Sequence, residues 1–88
     1  MRTVIEAPNV TEAIDLEQSK YPRLEDAFDA LKWWLAHVPE SGTLLDDLNW
    51  ICRQRGDYDQ NIPTLVAIYT FDHNCVEILH ILIRVPVA

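Results

Sequence analysis

The sequence predicts a single α+β domain, residues 1–88, with elements in the order β-α-α-β-β-β: an N-terminal strand and a helical hairpin packed on an antiparallel sheet. Three observations predict it. Leu24, Phe28, Leu31 and Leu35 recur at spacings of four, three and four, which places them on one side of a helix. Residues 64–71 and 75–84 are two nearly continuous apolar, β-branched runs separated only by Asp72-His73-Asn74. Asp and Asn tolerate the backbone angles of a tight turn, so the two runs read as a hairpin. The strand-like runs also gather at the C-terminal end, which favours an antiparallel sheet over a parallel one.

Residues 3–7, Thr-Val-Ile-Glu-Ala, read as the first strand, closed by the turn signal Pro8-Asn9. Thr11 is the candidate N-cap of a helix running to about Lys20, with Glu12 and Asp15 near its positive end. Pro22 followed by Glu25 and Asp26 marks the start of the second helix, which ends near residues 37–38 before Pro39. Ala27, Trp34 and Val38 widen its apolar stripe, while Trp33 falls on the opposite, solvated side between Asp29 and His37. Residues 43–48 read either as a short helical turn or as irregular chain. Residues 49–55 read as a strand with Trp50, Cys52 and Gln54 on one face and Ile51, Arg53 and Arg55 on the other. Residues 56–63 are polar and turn-rich, a connection.

Composition narrows the function. The broad hydrophobic count is 49%, too high for a disordered chain. At 88 residues, about 60% of the unfolded surface is buried on folding, so a partner or a second copy adds usefully to a small core. No apolar run approaches the roughly 20 residues that span a bilayer, and the N-terminus lacks a signal core; a cytoplasmic protein that binds no membrane is expected. Cys52 and Cys75 have no CxxC or Cys/His ligand spacing, so reduced thiols, no metal and no cofactor are expected. Fourteen acidic residues against seven basic give a net charge of −7, and that field repels a phosphate backbone.

The second helix, Tyr21-Pro22-Arg23-Leu24-Glu25-Asp26-Ala27-Phe28-Asp29-Ala30-Leu31-Lys32-Trp33-Trp34-Leu35, and the hairpin that carries Tyr69, Asp72, Val76, Ile78, Leu79 and Ile81 resemble the RelE/ParE superfamily of bacterial type II toxin–antitoxin systems. The resemblance covers most of the chain from Tyr21 to Arg84. It implies a toxin partnered by an antitoxin protein, and, in a catalytic member, a ribosome-dependent mRNA endoribonuclease. The catalytic set that the resemblance implies is depleted. Arg84 matches the arginine of the family's terminal His-Arg pair, but Ile83 stands where the histidine would be, and no tyrosine follows Tyr69. The acidity further disfavours RNA or the ribosome as target. A non-catalytic degenerate toxin, or a dimerising protein-interaction domain, is the second reading.

Candidate catalytic residues are Arg53, Arg55, Arg84 and His80. Three guanidinium groups suit a phosphate clamp; the same arginines alternatively pair with Asp57, Asp59 or acids of an antitoxin. His80 is a general base if a hydroxyl comes within hydrogen-bond reach, or else a packed strand residue. Candidate partner-binding residues are Trp33, as an exposed aromatic anchor or a packing residue of the helical hairpin, and Leu79, Ile81 and Ile83. Strict alternation sets these last three on one face of the return strand and Val76, Ile78, His80, Leu82 and Arg84 on the other. Such a two-sided apolar strand needs cover on both faces, from the helices on one and from an antitoxin or a homodimer mate on the other.

Overall fold

The computed structural model describes residues 1–86 and shows two helices packed on one face of a five-stranded mixed sheet. The elements are β1 (Thr3–Glu6), α1 (Pro8–Glu17), α2 (Leu24–His37), a 3₁₀ turn (Pro39–Ser41), β2 (Thr43–Leu44), β3 (Trp50–Gln54), β4 (Thr64–Phe71) and β5 (Cys75–Arg84). The strand order is β1-β5-β4-β3-β2. Strands β3 to β5 are antiparallel neighbours as expected, the short β2 adds an antiparallel edge that the sequence did not suggest, and β1 joins the outer side of β5 in parallel, Thr3 opposite Cys75 and Glu6 opposite Ile78.

Helix α1 starts three residues before the Thr11 cap that the sequence suggests. Pro8 occupies the first helical turn, where its missing N–H costs nothing and its fixed φ suits the helix. The Ala7 N–H donates instead to the Ile78 carbonyl at 3.0 Å, so the last backbone contact of β1 sets the helix in place. Thr11 donates its hydroxyl to Glu6 at 2.9 Å. The ambiguous stretch 43–48 resolves into the two-residue strand β2 and a turn. Asp46 organises that turn by accepting from the Leu48 and Asn49 N–H groups at 3.0 and 2.9 Å.

Val10 and Ile14 of α1 and Leu24, Ala27, Phe28, Leu31 and Leu35 of α2 pack on Leu65, Ala67, Tyr69, Val76, Ile78 and Ile81 of the sheet in one core. The second helix therefore follows its predicted stripe, with one change: Trp34 is 48% exposed.

Strand β5 departs from strict alternation. Ile68 pairs with His80 and Tyr69 with Ile78, so Leu79 is an extra residue with no partner across the ladder. A bulge of this kind reverses which side later residues point to. Val76 and Ile78 before it, and Ile81 after it, are all buried in the same core, and Ile83 packs against that core. The expectation that Leu79, Ile81 and Ile83 share a face of their own is thus corrected. Ile81 is 5% exposed and offers no surface to a partner, and Leu79 is half-buried.

Candidate interaction site

With both helices on one side, the other face of the sheet carries the side chains that the register points away from the core. Cross-strand partners share a face, so its rows can be read directly. Ile5, Glu77 and Thr70 form the first row, His80, Ile68 and Ile51 the second, and Leu82, Val66 and Arg53 the third; Arg84 and Thr64 form the last. The centre is apolar: Ile51, Val66 and Ile68 are half-buried, and Leu82 is 37% exposed.

The expected faces of β3 hold. Gln54 points to the helices and donates to the Ala27 carbonyl at 2.8 Å, while Arg53 is exposed on the open side. Arg55 follows two residues on, and Thr64 opposite Arg84 brings the third arginine to the same end of the sheet. None of these three has an ion-pair partner among the described residues. Asp57 accepts instead from the Asp59 and Gln60 N–H groups of its own loop at 3.0 and 3.3 Å. The remaining basic residues are all engaged. Arg2 donates to the Asp72 carbonyl at 2.7 Å, Lys20 and Arg23 pair with Glu17 and Asp26, and Lys32 bridges Glu6 and Asp29.

His80 lies on this open face but apart from the arginines. Leu82 stands between it and Arg84, which puts their Cα atoms about 13 Å apart at ordinary strand rise. Its Nδ1 is 3.5 Å from the Asn9 amide, which also donates to the Leu79 carbonyl at 3.2 Å and so ties α1 to the bulge.

A second feature opens at the outer edge of β3. Strand β2 covers β3 only through Leu44 opposite Trp50 and Thr43 opposite Ile51, so residues 52–54 have no strand outside them. A cavity of about 580 Å³ lies along this edge, lined by Leu31, Trp34, Gly42, Ile51, Arg53 and Gln54 among others. Trp34 is its aromatic wall, held by an indole N–H that donates to the Ser41 hydroxyl at 2.8 Å. Trp33 is 58% exposed, as its place on the helical wheel requires, and stacks on His37 at a centroid distance of 4.1 Å. The signal for Trp34 lay in the adjacent tryptophans: side chains about 100° apart on a helix opposite a narrow stripe cannot both enter the core.

Ionisation follows the same division. Backbone N–H groups of Leu48 and Asn74 hold Asp46 and Asp72 below the usual carboxylate range. Burial pushes the Cys52 thiol up, and desolvation followed by the nearby Asp72 and Glu77 raises Cys75; both cysteines are free. Among the described residues no three His, Cys, Asp or Glu side chains are grouped to hold a metal ion, and no helix is long and apolar enough to cross a membrane.

No family model, curated protein or solved structure matches the chain, so the sheet's own geometry is what bears on function.

Proposed function

We propose that this chain is a RelE/ParE-like toxin domain with a depleted catalytic set, which acts by contacting protein rather than by cutting RNA. One observation carries the reading. The three unpaired arginines and His80 share the open face, but His80 stands two rows from Arg84 and, one row away, two strands across the sheet from Arg53, so a phosphate held by the guanidinium groups has no base beside it. The surface between and around them has the composition of a protein contact. Half-buried aliphatic residues are rimmed by arginines, and a tryptophan-walled groove runs along an unpaired strand edge. A net charge of −7 adds to the case against a nucleic-acid target, and an antitoxin is the partner that the resemblance implies.

Induced expression in a bacterium tests this. Little or no arrest of translation is expected, with mRNA left intact by primer extension. Strong arrest that is relieved by Arg53→Ala or Arg84→Ala would establish the nuclease reading instead.

A further inference from the structure

We infer that the open face of the sheet is a self-docking surface: a second copy of this chain lies on it face to face, with its strands reversed. The inference rests on the face's charge pattern and holds whether or not the domain is a toxin.

The face is polar along the strands. Arg84 and Arg55 stand at one end, with Arg53 one row in beside Val66, and none of the three has an ion-pair partner among the described residues. At the other end, Glu77 is on the face and exposed, and the two turns that close that end carry Asp46, Asp47 and Asp72. Asp46 and Asp72 have carboxylates that backbone donors keep ionised. Between the ends lie Ile51, Val66, Ile68 and Leu82, with Ile5 beside Glu77.

Two copies can meet face to face about a two-fold axis in either of two ways. An axis along the strands stacks arginines on arginines and carboxylates on carboxylates, which repels at both ends. An axis across the strands, passing between the His80 and Leu82 rows, sets Glu77 of each copy opposite Arg84 of its mate. It also sets Ile68 opposite Val66, with His80 over Leu82 on one side and Arg53 over Ile51 on the other, so aliphatic side chains meet at the centre. Isologous pairing of this kind makes each favourable contact twice. Sheets stacked in this way sit about 10 Å apart with strands roughly aligned. Five strands at about 4.8 Å and four rows at about 6.8 Å give a footprint near 20 Å square, about 800 Å² over the two copies and below the roughly 1,200 Å² at which standard interfaces begin. The dimer is therefore reversible, and its end pairs decide its orientation.

Charge reversal tests the geometry without disturbing the core, because Glu77 and Arg84 are both exposed. By sedimentation velocity over a concentration series reaching several hundred micromolar, the wild-type chain is expected to pass from monomer to dimer. Glu77→Arg alone and Arg84→Glu alone each place like charges at both ends and should weaken the dimer at least tenfold, with the circular dichroism spectrum unchanged. An equimolar mixture of the two variants restores both end pairs and should form a one-to-one heterodimer of wild-type strength. A wild-type monomer throughout, a dimer indifferent to both reversals (as pairing through the β3 edge would be), or a mixture that stays monomeric would each overturn the inference.

Discussion

Tyr69 has the largest fully buried side chain among the described residues. It donates to the Pro39 carbonyl and so fastens the 3₁₀ turn onto the middle of β4. Gly42 is packed against the same hydroxyl; a methyl group there would collide with it and with the Ile51 carbonyl, so this glycine is required by close approach rather than by its backbone angles. Tyr69→Phe leaves the Pro39 carbonyl buried and unpaired, and a loss of about 1–2 kcal/mol in urea unfolding is expected. The phenol also makes stability depend on alkali. Burial first, then nearby Cys52, pushes its pKa up to about 12 from an ordinary value of 10.0. Below pH 10 both folded and unfolded chains keep the proton and the full stability is present. As pH rises toward the folded value, the unfolded chain ionises first and stability falls, by on the order of 2–3 kcal/mol from this group. Denaturant midpoints of wild type and Tyr69→Phe across that window check the sign. The wild type should lose its advantage and then fall behind.

At the scale of elements, β5 holds the widest gap between pattern and structure. Its two alternating sets, Leu79-Ile81-Ile83 and Val76-Ile78-Leu82, are equally apolar, so no hydrophobic period marks the phase change at Leu79. Where one phase is clearly polar, as in β3 with Arg53 opposed to Cys52 and Gln54, the faces were legible. Helix α2 was legible for the same reason, and Asp72 showed the hairpin turn through the local bonds it makes, accepting from the Asn74 and Cys75 N–H groups. The clustering of Arg53 and Arg55 could be read from their spacing. That Arg84 joins them follows only from the register of Thr64, which lies in no single strand's pattern. Strand β2 escaped because two residues are too few to show a period. Deleting Leu79 puts the bulge reading to the test. Pairing then runs without interruption from Ile78 opposite Tyr69 to His80 opposite Ile68, with Ile81 and Ile83 still in the core and Leu82 and Arg84 still outside, so cooperative unfolding is expected to survive. Leu79→Ala keeps the phase and should cost only about 1–2 kcal/mol. A deletion variant that loses cooperative unfolding while the alanine variant keeps it would show that the strand alternates without a bulge.

For the whole molecule, the helices rest on a sheet in which two of the three inner strands, β4 and β5, come last among the described elements. The first strand cannot pair until Cys75 through Ile78 exist to receive it. During synthesis, at about 5–20 residues per second, α1 and α2 therefore emerge seconds ahead of the surface that covers Leu24, Phe28, Leu31 and Leu35. A fragment ending at residue 62 should show no dispersed amide spectrum and no cooperative melting, whereas a folded helical hairpin in that fragment would show that the helices need no sheet. The parallel seam between β1 and β5 thus acts as a finishing stitch. The helices stay uncovered until β5 is made, and only then can β1 and β5 pair and lock the fold.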